Sequence, residues 1–366
     1  MNTSQRYIGI MSGTSMDGAD AVLIQMQQGQ WQSAIAHAFV PYSDTLKRDL
    51  LALQDCGENE LHRSQILAQQ LSHLYAQVVQ QLLQQQNLNP ADITAIGCHG
   101  QTIRHAPEQG YSIQLVDLAL LAEQTGIFTI GDFRSRDLAA GGQGAPLVPA
   151  FHHALFHSLD ETRVVLNIGG IANISVLPPD APAFGFDTGP GNMLMDAWTQ
   201  HIWQLPYDAN GEKAAQGRIL PDLLHTLLAH SYFALPYPKS TGRELFSLNY
   251  LQSLLTGTED PHDVLRTLIE LTARSIVQEI KRTASDAQHI YVCGGGVCNH
   301  TLIASLQQQL PTAVFSSTSI LNLHPQWVEA AAFGWLAACW VNRIPSNPYH
   351  ATGAKRACVL GCAYYA

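Results

Sequence analysis

The spacing of hydrophobic residues changes several times along the chain, and each spacing predicts a different element. Residues 7–11 form a short apolar run, a polar, turn-rich segment follows at 12–18, and a second apolar run occupies 21–26. This succession predicts two strands joined by an unusually polar loop. Apolar side chains then recur every three or four positions between residues 60 and 86, which predicts one long amphipathic helix. Its predicted buried face consists of Leu67, Leu71, Leu74, Val78 and Leu82.

Strand-like and helix-like segments alternate through the rest of the chain, which is typical of an α/β fold. In the second half, the apolar run 164–168, the turn Gly169-Gly170 and the apolar run 171–177 repeat the plan of the N-terminus, and this predicts a structural duplication. The other predicted strands lie at 94–98, 111–115, 127–130 and 289–293, and the other predicted helices at 117–124, 263–284 and from about 299.

The length of 366 residues favours two lobes with a cleft between them, because one compact core rarely serves a chain of this size. We predict a first α/β lobe at residues 1–155 and a second at 156–366. The apolar stretch 330–341 predicts a buried core helix, since it falls short of the roughly 20 residues that cross a bilayer.

The amino-acid composition narrows the range of possible functions and partners. Hydrophobic residues make up 46% of the chain and charged residues 13%, against roughly 25% charge in an average globular protein, so disorder is excluded. The net charge of −10 argues against nucleic acid or an anionic membrane as partner and favours a small molecule. Seven cysteines without a CxxC pair support neither a disulfide framework nor a cysteine zinc site, and a cytoplasmic location is expected.

The loop at 12–18 combines glycines, hydroxyl groups and the carboxylate of Asp17. Glycine allows backbone N–H groups to turn toward phosphate oxygens, and Ser and Thr add donors. Asp17 is then a candidate to hold the Mg²⁺ that accompanies a nucleotide. An ordinary hairpin loop is the alternative for this motif alone.

Two further glycine turns are candidate nucleotide contacts. Gly169 and Gly170 occupy the corresponding turn of the second half, although Gly-Gly is common in simple hairpins. The triglycine Gly294, Gly295 and Gly296 follows a predicted strand and permits close approach of a ribose or base, but it lacks the GxGxxG spacing. No GxxxxGK[ST] occurs, so a P-loop is excluded.

Asp187 follows an apolar run and precedes Thr188 and two glycines. A carboxylate at a strand end that faces a glycine-rich helix start is well placed to act as a base beside a phosphate. The alternative is a helix cap, which we disfavour because Asn192 is available for capping.

Polar side chains also cluster on loops of the first lobe, where together they can bind the hydroxyl and acid groups of a sugar. Each of them alone is more often structural. The candidates are His99, Gln101, Asp132 and Arg134, and Glu329 joins them as an acid at the opening of the apolar helix. His152 and His153 lack partner carboxylates or cysteines nearby in sequence and are interpreted as non-ligands.

With residues 13–18, 167–173, 186–192 and 293–299 in this order, the chain resembles the anhydro-N-acetylmuramic acid kinase family over nearly its whole length. That family belongs to the sugar kinase, Hsp70 and actin superfamily. The resemblance therefore implies a two-lobed, duplicated actin-like ATPase fold of α/β class, with a phosphate-gripping hairpin in each lobe.

The resemblance also implies the chemistry: ATP and water convert 1,6-anhydro-N-acetylmuramic acid into N-acetylmuramic acid 6-phosphate and ADP during peptidoglycan recycling. By similarity, Asp187 activates the water and the triglycine lies near the adenosine. The residues implied to bind ATP are Gly13, Thr14, Ser15, Met16, Asp17, Gly18, Ala19 and Asp20. A homodimer is also implied.

Two alternatives remain open from the sequence. One is an ordinary amino-sugar kinase, in which Asp187 deprotonates a free hydroxyl. The other is a nucleotide-driven binding protein of the actin or chaperone type, which phosphorylates no metabolite.

Overall fold

The computed structural model describes residues 4–13, 16–237, 239–242 and 245–366. The strands are β1 (Ser4–Ser12), β2 (Gly18–Gln27), β3 (Gln30–Pro41), β4 (Ala95–Ala106), β5 (Tyr111–Leu115), β6 (Thr129–Gly131), β7 (Arg163–Ile168), β8 (Ile171–Leu177), β9 (Phe184–Pro190), β10 (His289–Cys293), β11 (Val314–Ser317) and β12 (Cys362–Tyr364). The helices are α1 (Asp44–Leu51), α2 (Glu60–Gln86), α3 (Leu118–Thr125), α4 (Phe133–Ala139), α5 (Val148–Phe156), α6 (Met193–Trp203), α7 (Pro221–Leu228), α8 (Leu248–Leu254), α9 (Pro261–Thr283), α10 (His300–Gln309), α11 (Val328–Val341) and α12 (Tyr349–Thr352).

The chain divides into two compact units. Unit 1 comprises Met1–Leu155 with Trp327–Ala366, and unit 2 comprises Phe156–Gln326. Residues 327–366, which we predicted to lie in the second lobe, pack in unit 1 instead, and the predicted boundary is corrected accordingly.

Close packing of helix α11 on the sheet explains why residues 327–366 belong to unit 1. Helix α11 is buried on nearly every side and packs on β1, β2 and β4. Gly9 of β1 and Gly97 of β4 make this possible, since a Cβ at either position would collide with a backbone carbonyl oxygen of α11. The sequence shows the glycines and the apolar helix separately, and only the fold shows that they meet.

Both units have the same strand topology. In unit 1, β1, β2 and β3 form an antiparallel meander, β4 pairs parallel to β1, and β6 pairs parallel to β4. In unit 2, β7, β8 and β9 form the meander, β10 pairs parallel to β7, and β11 pairs parallel to β10. The predicted duplication is therefore present in the strand order. Unit 1 adds β5 on β4 and β12 on β6.

The predicted long helix is α2, and its bounds agree with the apolar period. Leu67, Leu71, Val78 and Leu82 are buried as expected, whereas Leu74 is only partly buried. Tyr75 takes the neighbouring buried position instead, because it lies four residues after Leu71 on the same face of the helix, and its hydroxyl enters a polar network described below.

Across the described ranges, every helix is too short or too polar to span a membrane.

Candidate active site

A buried glutamine holds the loop between β1 and β2. Gln101 Nε2 donates to the Gly13 carbonyl oxygen at 3.1 Å, and its Oε1 accepts from the Tyr42 hydroxyl at 3.2 Å. The side chain is fully buried. Gln101, which we predicted to contact the sugar, thus uses both ends of its amide within the protein to brace this loop. Thr14 and Ser15 lie outside the described residues.

Neutral hydroxyl groups extend this support. Ser12 Oγ lies 2.6 Å from the Tyr75 hydroxyl, which lies 3.3 Å from that of Tyr42. The Tyr42 backbone N–H donates to the Asp17 carbonyl oxygen at 3.0 Å. Burial raises the pKa of Tyr42 to about 12, so its hydroxyl keeps its proton at neutral pH. The network therefore holds the loop through Gly13 on one side and Asp17 on the other.

The remaining residues of the first predicted nucleotide segment differ in exposure. Met16 is fully buried in the core of unit 1, with a φ of 55° and its N–H donated to Gly13 at 3.2 Å. Gly18 and Ala19 are buried at the start of β2. Over residues 16–19, the Asp17 carboxylate is therefore the side-chain group left for a ligand.

Two carboxylates flank this turn. Asp17 is exposed, with Oδ1 3.3 Å from Lys47 Nζ. Asp20 Oδ1 lies 2.7 Å from His37 Nε2, and the His37 ring stacks on Trp327 with centroids 5.5 Å apart. Asp17 is thus the more accessible of the two carboxylates, with 66% of its side chain exposed against 37% for Asp20.

One accessible carboxylate suits a magnesium ion that arrives with phosphate groups, because Mg²⁺ usually keeps several waters and takes one or two protein carboxylates. Within the part of the chain that the structure describes, no cluster of three or more His, Cys, Asp or Glu side chains can hold a metal ion. Asp17 therefore fits a nucleotide-borne Mg²⁺ rather than a cage built by the protein alone.

The structure brings three of the predicted sugar contacts together. Arg134 Nη2 donates to His99 Nε2 at 2.9 Å, and Arg134 Nη1 donates to the Gly144 carbonyl oxygen at 2.7 Å. Burial lowers the pKa of Arg134 to about 10, while the charges of Glu329 and Asp137 act in the opposite direction. Arg134 stays a cation at neutral pH with the Glu329 carboxylate nearby. The exposed Glu329 opens α11 as expected.

His99 is an acceptor in this cluster. Burial, reinforced by the Arg134 charge, holds the pKa of His99 well below its usual range, so its ring is neutral. The ring also lies against Phe333, with centroids 4.6 Å apart. His99 thus orients Arg134 and does not serve as an acid or base near neutral pH.

Asp132 is exposed immediately before α4, and its Oδ1 accepts from Ser135 Oγ at 2.5 Å. The nearby glycine-rich loop is ordered by Asp137, whose Oδ2 accepts from the Gly144 N–H at 2.8 Å and whose Oδ1 accepts from Thr352 Oγ1 at 2.8 Å. Because Gly144 in turn accepts from Arg134, Asp137 supports the position of the guanidinium group.

In unit 2, the turn Gly169-Gly170 caps the start of α6. The Gly169 carbonyl oxygen accepts from the Asn192 N–H at 2.8 Å, and that of Gly170 accepts from Gly191 and Met193. A Cβ on Gly170 would meet only the Met193 Cβ, at 3.9 Å. The protein's own packing therefore does not require glycine at position 170, and the open space there suits a close ligand.

The triglycine divides into packed and open positions. A Cβ at Gly294 or Gly296 would collide with Asn167 or Ile168 at the end of β7, whereas a Cβ at Gly295 would lie 3.8 Å from Asn192 Nδ2. Gly295 is also exposed. Packing thus requires glycine at 294 and 296, and position 295 is the one with open space beside it.

Asp187 lies inside β9 rather than at a strand end. Its Oδ2 accepts from the Thr241 backbone N–H at 3.0 Å, and burial raises its pKa to about 6 despite that hydrogen bond. The carboxylate does not cap α6. We had expected the Asn192 side chain to cap α6, and this was wrong, because its Nδ2 donates to the Ile168 carbonyl oxygen at 3.2 Å. A carboxyl with this pKa is suited to take a proton near neutral pH.

A family model for anhydro-N-acetylmuramic acid kinase matches residues 5–366 of the chain. The chain belongs to this family. It is similar to the curated anhydro-N-acetylmuramic acid kinase of Neisseria meningitidis serogroup C, at 68% identity over 366 residues and 100% of both chains. It is also similar to that of Nitrosomonas europaea, at 52% identity over 360 residues, 98% of this chain and 99% of the relative.

Among solved structures, the activator of 2-hydroxyisocaproyl-CoA dehydratase from Clostridium difficile with bound ADPNP is similar over 93% of this chain and 97% of its own, with a TM-score of 0.47 and 13% identity. Membership of the kinase family rests on the sequence matches and confirms the resemblance read from the four motifs. The two sheets with alternating helices confirm the α/β class.

Sequence reasoning missed several residues around the motifs of this kinase family. The missed residues contact either the predicted segments or the residues that hold those segments in place: they are Tyr42, Tyr75, Lys239, Thr241 and Glu279. Tyr75 occurs within the helical period as an aromatic residue among leucines, which is a weak signal. Lys239 and Thr241 follow no period, so only their contacts reveal them.

Proposed function

We propose that this chain is the ATP-dependent kinase that opens 1,6-anhydro-N-acetylmuramic acid with water and phosphorylates it at O6, yielding N-acetylmuramic acid 6-phosphate and ADP. Family membership supports the substrate class. The observation that supports Asp187 as the base is its partly buried carboxylate, whose pKa of about 6 leaves it ionised yet basic at neutral pH.

The anhydro sugar has no free 6-hydroxyl group, which determines the order of bonds. Water attacks C1 and gives its proton to Asp187, the C1–O6 bond breaks, and O6 takes the γ-phosphoryl group as ADP leaves. Overall, one anhydro sugar, one water and one ATP give one sugar phosphate, one ADP and one proton, so the atoms balance. Bound Mg²⁺ neutralises charge on the phosphates.

In this proposal the candidate site residues have separate roles. Asp17 receives the magnesium, and the open positions at Gly170 and Gly295 admit the nucleotide beside the rest of their turns, Gly169, Gly294 and Gly296. Arg134, oriented by neutral His99, binds the acid group of the sugar, because a guanidinium fork matches a carboxylate. The exposed carboxylates of Asp132 and Glu329 accept from sugar hydroxyls.

We further propose a cytoplasmic homodimer that binds neither nucleic acid nor membrane. The acidic net charge of −10 supports the lack of nucleic-acid binding, and the family resemblance supports the dimer.

ADP release measured with different sugars tests the reaction. We expect release with 1,6-anhydro-N-acetylmuramic acid and water-derived ¹⁸O at C1 of the product when the reaction runs in labelled water. Release with N-acetylmuramic acid but not with the anhydro sugar would favour an ordinary sugar kinase. The absence of any sugar-dependent release would favour a nucleotide-driven binding protein.

A further inference from the structure

Residues 239–241 form a short segment beside Asp187 of β9, and we call this segment the strap. In the strand order of the described part of unit 2, β9 is an edge strand with β8 on its other side. The Asp187 N–H donates to the Lys239 carbonyl oxygen at 3.1 Å, and the Thr241 N–H donates to Asp187 Oδ2 at 3.0 Å. The strap therefore contacts both the backbone and the carboxylate of Asp187.

A buried ion pair anchors the strap to α9. Lys239 Nζ lies 2.8 Å from Glu279 Oε1, and both side chains are only 2% exposed. Lys239 Nζ also donates to the Tyr232 carbonyl oxygen at 3.3 Å and lies 4.7 Å from the centre of the Tyr232 ring. The Tyr232 hydroxyl donates to the Asp187 carbonyl oxygen at 2.6 Å. Of the two residues that hold Lys239, Tyr232 thus also contacts Asp187.

Folding stability alone does not explain this pair. Removing two charges from water is expensive, and well-packed apolar side chains of similar size often stabilise a core as much or more. The pair instead fixes the position of the strap, because the buried ammonium group must stay next to its carboxylate. The ends of the strap meet the residue that the proposed reaction uses as its base.

We propose that Lys239 and Glu279 are positioning residues, whose ion pair holds the Thr241 N–H on the Asp187 carboxylate. This inference rests on the proposed function only in linking that contact to turnover. Apolar residues in place of both charges would release the strap without leaving a buried, unpaired charge.

The charged and titratable groups around Asp187 determine the direction of the effect. Lys239 and Glu279 neutralise each other, Arg282 lies 3.7 Å from Glu279, and burial raises the pKa of Tyr232 far above its usual range, so Tyr232 stays neutral. Burial raises the pKa of Asp187 and the Thr241 hydrogen bond lowers it. Loss of that hydrogen bond therefore raises the pKa further.

The test is the double variant Lys239→Met/Glu279→Leu. Its acid limb in the pH profile of kcat is expected to move to higher pH by about one unit, and the Asp187 pKa from carbon NMR of labelled aspartates, assigned with Asp187→Asn, is expected to move equally. The control Glu270→Gln removes another charged group on α9, one that pairs with Arg274 at 2.9 Å, and is expected to leave both values in place.

The outcomes separate the two proposals. A folded double variant with an unchanged Asp187 pKa by NMR would overturn the positioning role. An NMR shift without movement of the acid limb would support the positioning role and contradict Asp187 as the base. If the double variant does not fold, Lys239→Met removes the ammonium group that fixes the strap and is expected to shift the NMR value in the same direction, and no shift there would overturn the inference.

Discussion

Arg134 Nη2 donates a 2.9 Å hydrogen bond to His99 Nε2, so a cation is oriented by a neutral imidazole. His99 has no proton on that nitrogen to give away, and Arg134 cannot readily lose its own. The pair is therefore a fixed donor group suited to a carboxylate rather than an acid and base couple.

Arg134→Lys should weaken sugar binding selectively. A lysine keeps the charge but cannot bond His99, Gly144 and a carboxylate with one planar fork. We expect the KM for the anhydro sugar to rise by about 10- to 100-fold, in line with the loss of a charge-assisted pair, while the KM for ATP stays within about twofold.

Arg136→Lys is the matched control, since Arg136 lies on the same helix and is exposed. Equal effects of both substitutions on the KM of the sugar would contradict the assignment of Arg134.

Gly295→Ala should weaken nucleotide use without unfolding the protein. The added methyl group meets no atom of the protein closer than 3.8 Å, but it occupies the space assigned to the nucleotide. We expect about a tenfold rise in the KM for ATP, since modest clashes in a binding pocket cost about 1–3 kcal/mol, and a melting temperature close to that of the wild type.

Gly296→Ala provides the contrast, because its Cβ would collide with Ile168 and should lower the melting temperature strongly. An unchanged KM for ATP in Gly295→Ala would remove the triglycine from the nucleotide site.

Asp17→Asn should raise the magnesium requirement. The amide keeps the shape of the side chain but removes the charge, so we expect about a tenfold higher Mg²⁺ concentration for half-maximal rate, with sugar binding unchanged. The control is Asp49→Asn, another exposed carboxylate beside a cation, in this case Arg48 at 3.2 Å. Identical magnesium titrations of wild type and Asp17→Asn would show that Asp17 holds no metal.

Asp187→Asn should stabilise the fold at neutral pH. The folded pKa of Asp187 is raised from 3.8 to about 6, so the stability linked to its protonated form is present below about pH 4 and is lost as pH rises through about 6. We expect the variant to gain up to about 3 kcal/mol in the free energy of unfolding, and about 1 kcal/mol of this between pH 5 and pH 8. Urea unfolding at both pH values measures the gain, and a gain independent of pH would refute the raised pKa.

Local pattern was enough to predict much of the fold and little of the support around the site. Helix α2 agrees with the predicted segment because burial of one face imposes a clear period on it, and strand β10 agrees because it is a short, continuously buried apolar run. Helix α11 was recognised as buried but assigned to the wrong unit, since an all-apolar helix carries no sign of which sheet it covers.

The site shows the same limit. The motif around Asp187 is visible in the sequence, but Thr241 is 54 residues away and its contact is made by a backbone N–H that no side-chain pattern encodes. Gln101 was predicted as a polar loop residue that binds the sugar, whereas it lies within β4, and only its contacts with Gly13 and Tyr42 show that it supports the loop between β1 and β2.

The turnover of Asp187→Asn with ATP and the anhydro sugar, measured beside its ATP affinity, tests the central claim most directly. The amide can still accept from Thr241 but is not basic, so ATP binding should stay within about twofold while kcat falls by about 10² to 10⁴, the usual loss when a general base is removed. Near wild-type turnover in this variant would contradict the account.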